Sequence, residues 1–460
     1  DAIQKAELDI IRRRALEDIV QVETVNGYEV RRYVQDRTVI EDTDVIEDIA
    51  VIEDTVEPVQ TGLRPYVADP RYWEYHGDPV VPIGVSATDH LFLAGGMEVP
   101  DLEAHLDEMV ALGANYVRNT MSQRELWPLL PYDRTAPNEY DLNQFNEDYW
   151  ERFQNFLQWT ADRQIFVQIE VWDRFDFSKG MWDLSPWNPG LNVTYTKAKS
   201  GLKTSHPDHP SKDKQPFFHG VPGHPTYEAA NASLKSKYDL IRGYQEAFVS
   251  KMLSYSLNHD HVLYAMNNET STHASWGKYW IDFILAAAAV QGVEVYCTDM
   301  FDDVWDPENS DKLAAQIADI TTYPFIDASQ VNSRSLGDGV REHSQHHWDR
   351  LTYIVEAAAG EPRPINHTKI YDTGYYGKTP DGPVMGLQRM TLNLLAGSAT
   401  VRFHRTDPVF PIEHQTAVSA LRMVESKVPF WNVEVHQELL KNRSEGEAFL
   451  AAHPGQAYLL

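Results

Sequence analysis

The 460-residue chain is poor in cysteine, in basic residues and in long apolar runs. Its single cysteine, Cys297, excludes an intrachain disulfide and any metal site built on several cysteines. There are 40 Lys and Arg against 68 Asp and Glu, and the net charge of −28 argues against nucleic acid or an anionic membrane as a partner. No apolar stretch approaches the ~20 residues of a transmembrane helix. The chain begins at Asp1 and not at Met, which predicts a processed protein that is secreted or periplasmic.

Residues 1–65 differ in pattern from the rest and are predicted to be an N-terminal extension. A charged helix is expected at residues 2–19, followed by three copies of Val-Ile-Glu-Asp that begin at Val39, Val45 and Val51. Three acidic hexads are too few for a solenoid, which needs stacked neighbours to bury its faces. We expect short strands or an extended arm here, and residues 1–60 are a candidate surface for self-assembly.

Residues 66–430 alternate between eight apolar strand segments and eight helical segments. Such alternation indicates a parallel sheet with helical crossovers, and eight units favour a closed (β/α)₈ TIM barrel. A doubly wound sheet is the alternative, but no Gly-rich phosphate loop follows any strand. The fold class predicted is therefore α/β, a (β/α)₈ barrel with an N-terminal extension and, at 431–460, the start of a C-terminal β element.

A long insertion, residues 174–236, interrupts this alternation after the third strand. Ordinary connections in such folds are about 2–6 residues long, so a segment of this size predicts a lid or a binding wall at one end of the barrel. His206 and His209 lie in it, which leaves a histidine-based metal hydrolase as a weak alternative. We predict no metal and no cofactor.

Polar residues end the predicted strands. In a parallel barrel the carboxyl ends of the strands share one face, called the mouth here, where the chemistry of such folds is placed. The segment from His261 to Glu269 is the clearest case, because an apolar run leads directly into Asn267, Asn268 and Glu269. The candidate catalytic carboxylates are Glu269, Asp299 and Glu170. The candidate substrate-binding residues are Asn268, Arg118, Asn119, Trp172, Asn332, Lys369, Tyr371, Asp372, Arg402 and His404.

Two of these strand ends resemble a known family. Asn268-Glu269 after the fourth strand and Tyr116-Val-Arg118-Asn after the second are similar to clan A, the large group of retaining (β/α)₈ glycoside hydrolases. The resemblance implies that Glu269 is the general acid/base, that Asn268 binds the hydroxyl beside the scissile carbon and that Arg118 supports the nucleophile. Further similarity to bacterial members with a C-terminal β-domain extends it to residues 66–460. This further similarity rests on Gly84 and on the segments 71–75 and 447–456.

The seventh strand departs from that family. The clan carries its nucleophilic Glu there, whereas this chain reads Pro364-Ile-Asn-His-Thr-Lys-Ile-Tyr-Asp372. Asp372 with its shorter side chain, Asp299 or Glu170 are the candidates for a second carboxylate, with Asp299 and Glu170 favoured because they directly end apolar strands. Alternatively, the site has lost hydrolysis and only binds.

A mouth rich in carboxylates, amides and aromatic rings suits a polyhydroxylated substrate, and paired carboxylates are the machinery of glycoside cleavage. The function predicted is a glycoside hydrolase acting on an oligo- or polysaccharide. The alternative is a non-catalytic carbohydrate-binding or structural subunit built on the same barrel.

Overall fold

The fold was analysed in a computed structural model. It describes residues 62–93, 101–122, 129–137, 139–206, 215–333, 340–371, 383–404 and 410–460, and two paired strands at Gln21–Val25 and Tyr28–Arg32. The predicted helix at 2–19 and the three acidic repeats lie outside these residues. The antiparallel pairing of Gln21–Val25 with Tyr28–Arg32 was not predicted.

Eight parallel strands form the central sheet. They are β1 (Ile83–Gly84), β2 (Tyr116–Thr120), β3 (Phe166–Asp173), β4 (Val262–Asn268), β5 (Cys297–Thr298), β6 (Ile326–Asp327), β7 (Ile365–Ile370) and β8 (Thr400–Phe403). Their order is β5-β4-β3-β2-β1-β8-β7-β6. Between the two outer strands of that order, the Thr298 hydroxyl donates to the Phe325 carbonyl at 2.6 Å. The predicted (β/α)₈ barrel is confirmed.

A helix follows each strand. The eight are α1 (Leu102–Leu112), α2 (Glu147–Asp162), α3 (Ala232–Ser256), α4 (Ala274–Gln291), α5 (Asp311–Ile317), α6 (Val340–Ala357), α7 (Pro383–Leu395) and α8 (Ile412–Glu425). The residues at the two ends of α1 show why this helix begins and ends where it does. The Asp101 side chain accepts from the Ala104 amide at the start of this helix, and Gly113 takes the left-handed conformation at its end.

The apolar core lies in two places. The main part fills the space between the strands and the helices, and every residue of β3 and β4 is buried, as expected for a parallel sheet covered on both faces. A smaller cluster plugs the end of the barrel opposite the mouth. There lies a three-stranded antiparallel sheet with the strands Arg64–Pro65, Trp73–Tyr75 and Asp78–Val80. The Trp73 ring of this sheet packs against Phe325, and its indole nitrogen donates to Asn366 Oδ1 at 2.9 Å.

Gly84 of β1 occupies a position with no room for a side chain. A β-carbon built there would lie 2.9 Å from Cγ of Arg402 and closer still to the Tyr116 carbonyl oxygen. We expect Gly84→Ala to lower the free energy of unfolding by about 1–3 kcal/mol, the usual cost of overpacking a core. Denaturant unfolding measures it, with Gly360→Ala as the control because nothing lies within 4 Å of that position. Equal stabilities for the two variants would contradict this packing.

The aromatic residues of the 174–236 insertion are mostly buried. Trp182, Trp187, Phe217 and Phe218 have less than a tenth of their surface exposed and pack with Trp172 between the insertion, α3 and α4. Its described part contains short helices at Lys179–Trp182, Lys197–Ser200 and Pro225–Glu228. The insertion therefore has an apolar core of its own, which explains why so many rings occur in a segment predicted to be a loop.

The chain after α8 forms a small antiparallel sheet. Its strands are Glu434–Val435, Ala451–His453 and Ala457–Leu459, in that order. The domain boundaries predicted from the sequence stay a prediction. Among the described residues, no helix is both long and apolar enough to cross a membrane.

Several buried histidines make the fold sensitive to acid. Burial lowers the pKa of His105 to about 4 and the pKa of His261 and His367 to about 3, so these rings are neutral in the fold and charge on unfolding. The stability of the fold that depends on these neutral rings is fully present above pH 6.5. As the pH falls from there toward 3–4, the free energy of unfolding decreases by up to about 1.4 kcal/mol per pH unit for each ring. Denaturant unfolding at pH 7 and pH 5 should show this loss. His261→Asn should reduce the slope, whereas a change at the exposed His453 should not.

Candidate active site

The mouth of the barrel brings together side chains from five strand ends. Asp89 follows β1, Arg118 lies in β2 and Glu170 in β3, Glu269 follows β4, and Lys369 lies in β7. Direct contacts join Asp89, Arg118 and Glu170 in one group and Glu269 and Lys369 in another, and the charges of Arg118 and Glu170 act on Lys369 between them. Asn268 of β4 and His404 after β8 belong to the same cluster. Of the thirteen candidate site residues, the structure therefore brings six into one cluster, Arg118, Glu170, Asn268, Glu269, Lys369 and His404.

Arg118 holds two carboxylates at once. Its Nη1 lies 2.7 Å from Oδ1 of Asp89, and its Nε lies 2.7 Å from Oε2 of Glu170. All three side chains are fully buried. The Thr120 hydroxyl donates a further bond to Glu170 Oε2 at 2.8 Å, and Nδ1 of His404 lies 3.4 Å from Asp89 Oδ1. One guanidinium thus fixes the directions of two acidic side chains from neighbouring strands.

Glu269 is the carboxylate of this cluster that reaches solvent. It directly follows β4 and takes a left-handed backbone conformation, with φ of 56°, which is uncommon for a residue with a long side chain. Its Oε1 accepts from Lys369 Nζ at 2.6 Å, and its Oε2 accepts from Arg174 Nη2 at 3.1 Å. The Glu269 side chain is 16% exposed and that of Lys369 is 1% exposed. Backbone strain of this kind concentrates at functional positions.

These two cations decide the charge of Glu269. Burial alone would raise the pKa of the Glu269 carboxyl, but Lys369 and Arg174 outweigh it and hold that pKa well below its ordinary value. Glu269 is therefore ionised in this arrangement. The proton-donor role that the family resemblance implies requires the neutral acid, so the structure favours the opposite protonation state.

Lys369 is the ionisable side chain that β7 brings to Glu269. Its ammonium group also donates to Oδ1 of Asn268 at 2.5 Å. Burial lowers the pKa of Lys369, and the neighbouring Glu269 opposes that effect. Asp372, the nearest acidic residue in the sequence after this strand, lies outside the described residues. Where the resemblance calls for a nucleophilic Glu, the described part of β7 supplies a cation.

Glu170 has the contrasting environment. Burial raises the pKa of its carboxyl, although Arg118 and Lys369 counteract it. Its Oε1 is buried without a hydrogen-bond partner, and so are Arg118 Nη2 and Asn268 Nδ2, as far as the described part of the chain extends. Buried polar atoms normally have partners. In Glu170, Arg118 and Asn268 together, two donors and one acceptor are thus left unpaired among the described residues.

Comparison with solved structures identifies the kind of barrel. A glycoside hydrolase family 5 protein from Bacteroides vulgatus aligns with 85% of this chain and 77% of its own at 11% identity, with a TM-score of 0.51. The family 5 mannosidase from Rhizomucor miehei aligns with 80% of this chain and 99% of its own at 11% identity, with a TM-score of 0.50. The fold is glycosidase-like. The resemblance to clan A barrels is confirmed at the level of fold, whereas no family model and no curated protein matches the sequence.

Asp299 faces the helical layer of the barrel, whereas the sequence predicted that it faces the mouth. Its Oδ1 accepts from Asn267 Nδ2 at 2.8 Å, and its carboxyl group packs so closely against Gly277 of α4 that no β-carbon would fit there. Burial raises the pKa of Asp299 to about 7. These contacts direct it toward the helical layer, so the structure does not bring it together with Glu269 as a second carboxylate.

The contacts of three candidate substrate-binding residues indicate that these residues stabilise the fold. Trp172 packs among rings of α3, α4 and the insertion and is not in the mouth cluster. Asn119 accepts from the Phe92 amide at 3.4 Å, and Asn332 is bonded to His367 and Asn393 behind β7. All three are buried. Their strands were identified correctly, but their side chains point into the packing around the barrel.

The remaining candidates line the inner wall or its rim. Arg402 is fully buried and uses its donors within the barrel, on the Ser86 hydroxyl and the Thr368 and Thr88 carbonyls. It joins β8 to β7 and to the segment after β1. Tyr371 is mostly buried, and its ring lies edge-on to His404 with centroids 4.5 Å apart.

Sequence reasoning missed Arg174. It lies in the 3-10 turn Arg174–Phe177 directly after β3 and bridges Glu269 to Asp302, whose Oδ2 lies 3.0 Å from its Nη1. Its position next to Asp173 at the end of a strand was the available signal, but it was counted as part of the insertion. Asp302, which lies after β5, is about one-third exposed and paired with Arg174.

A metal centre has no support in the described residues. They contain no group of three or more His, Cys, Asp and Glu side chains placed to hold a metal ion. Of the two histidines considered in the insertion, His206 is buried and His209 lies outside the described residues.

Proposed function

We propose that this chain is a glycoside hydrolase whose reactive carboxylate is Glu269. The observation that carries the proposal is the position of Glu269: partly exposed, in a strained conformation, at the carboxyl end of β4, with Asn268 beside it. The carboxyl ends of barrel strands are where such folds place catalysis. Asn268, Arg118 and Glu170 each have a buried polar atom without a partner in the described part of the chain, which would form a hydrogen bond with a water or a sugar hydroxyl that reached it.

The two glutamates of the cluster are suited to divided roles. Their surroundings move the two pKa values apart, upward for Glu170 and downward for Glu269. A pair of this kind can present one proton donor and one base at the same pH, which is what cleavage of a glycosidic bond requires.

The substrate class proposed is an oligo- or polysaccharide. One structural neighbour is a mutant of the Rhizomucor miehei mannosidase in complex with mannosyl-fructose, at 12% identity and a TM-score of 0.51. Mannose-containing glycans are therefore the first substrates to try, within a panel that also contains glucans, xylans and galactans. Release of reducing ends by the intact chain supports the proposal.

A second function is favoured by Lys369. A cation in β7 neutralises Glu269 and would repel the positive charge that develops on the sugar ring during cleavage. A barrel that binds carbohydrate without cleaving it is the candidate from this observation, and self-assembly through residues 1–60 stays a proposal from the sequence pattern. If a folded sample binds glycans of the panel and releases no reducing ends, the function is carbohydrate binding and not hydrolysis.

A further inference from the structure

Both oxygens of Glu269 are occupied by cations that are themselves held in place. Lys369 reaches Oε1 while its Nζ also bonds to Asn268, and Arg174 reaches Oε2 while it also bonds to Asp302. The four elements that contribute are β4, β7 and the turns after β3 and β5. Protonation of Glu269 would weaken two charge-assisted hydrogen bonds and leave the ammonium group of Lys369 buried beside a neutral acid.

We propose that Lys369 is a positioning residue that keeps Glu269 a carboxylate until the glycosidic bond is cleaved, so that Glu269 acts as a base or nucleophile and not as the proton donor. This inference rests on the proposed hydrolysis and assigns the parts within it. It reverses the role that the family resemblance implies for Glu269.

The contacts of the acidic side chains indicate which of them carries the proton. Asp89, Glu170 and Glu269 each accept from a cation at 2.6–2.7 Å. In Glu269 both oxygens accept from cations, whereas Oε1 of Glu170 has no partner among the described residues. Burial raises the pKa of the Glu170 carboxyl, against the effect of Arg118 and Lys369. Glu170 is therefore the carboxyl assigned as the proton donor.

The resulting step balances without a further reactant. The bond between the anomeric carbon and the leaving oxygen breaks, and that oxygen takes the proton of Glu170, through a bridging water because Glu170 is buried. The oxygen of a second water bonds to the anomeric carbon and gives its proton to Glu269. Proton exchange with solvent then restores both groups.

The protonation state of Glu269 can be measured without any activity. In protein labelled with ¹³C at the Glu side-chain carboxyls, the Glu269 signal is assigned by its loss in Glu269→Gln. We expect it to stay ionised from pH 8 to the acid limit of folding. In Lys369→Met its titration midpoint should move upward by about 1–3 pH units, and in Lys369→Arg, which keeps the charge, it should stay low.

The outcomes separate this inference from the proposed function. A wild-type Glu269 that titrates at or above the ordinary value of about 4.3, or an unchanged midpoint in Lys369→Met, overturns the role of Lys369 even if glycans are cleaved. If Lys369→Met does not fold, Arg174→Met removes the other cation and should move the midpoint in the same direction. On a cleaved glycan, the acidic limb of the pH–rate profile should move upward in Lys369→Met and not in Lys369→Arg. Unchanged limbs in both would count against the inference.

Discussion

Glu269→Gln is expected to lower the rate of glycan cleavage by about 10²–10⁴-fold while glycan binding persists. Gln keeps the shape of the side chain and one acceptor for Lys369 or Arg174, but it cannot take a proton from water or attack carbon. The measurement is the initial rate of reducing-end release, with binding followed by calorimetry on the same glycan.

The control is Glu228→Gln, an exposed carboxylate at the end of a short helix in the insertion, which should leave the rate unchanged. Thermal unfolding of both variants separates loss of catalysis from loss of fold. Retention of wild-type activity by a folded Glu269→Gln variant would remove Glu269 from the proposed mechanism.

Arg118→Met is expected to lower the free energy of unfolding by about 3–5 kcal/mol. Asp89 and Glu170 are both fully buried, and the Arg118 guanidinium bonds to each of them at 2.7 Å. Without it, two carboxylates face each other in the barrel interior with less compensating charge. Denaturant unfolding at pH 7 measures the loss.

Two variants make this test specific. Arg118→Lys keeps the charge but cannot bond to both carboxylates with a rigid guanidinium fork. Its free energy of unfolding should therefore lie between that of Arg118→Met and that of the wild type. Arg163→Met breaks pairs with Glu103 and Asp107, whose side chains are about half or more exposed, and should cost less than ~1 kcal/mol. If Arg118→Met is no more destabilising than Arg163→Met, the buried cluster is not organised by Arg118.

The barrel could be predicted because strand and helix periodicity repeats eight times along the chain. β3 and β4 are long and apolar, and helix α1 has recognisable ends at Asp101 and Gly113. The position of Glu269 followed from counting strands. The bounds of the shorter strands are harder to predict, since β5 covers only Cys297–Thr298 and two residues carry little periodicity.

The direction of each side chain was harder to predict than its strand. Successive residues of a strand point to opposite faces, so an error of one residue moves a side chain from the mouth to the helical layer. Asp299 and Trp172 end their strands as predicted and yet face α4 and its neighbours. Nothing in the sequence marks this, because Asn267 and Gly277, the partners of Asp299, and the rings around Trp172 come from other elements.

The cation pair at Glu269 also needed the structure. Lys369 was identified as a candidate substrate-binding residue from its position on the seventh strand, but its contact with Glu269 joins residues 100 positions apart. Arg174 belongs to an irregular turn, where periodicity gives no direction. The pairing changes the chemistry expected of Glu269 more than any feature of the strand that carries it.

The most direct test of the proposed hydrolysis is cleavage of the glycan panel in ¹⁸O-labelled water, with the released sugars analysed by mass spectrometry. The proposal predicts products that carry one ¹⁸O atom at the new reducing end, formed by the wild-type chain and not by Glu269→Gln. Products lighter by one water molecule, which indicate elimination, or the absence of any product from a folded chain that binds the glycan, would contradict it.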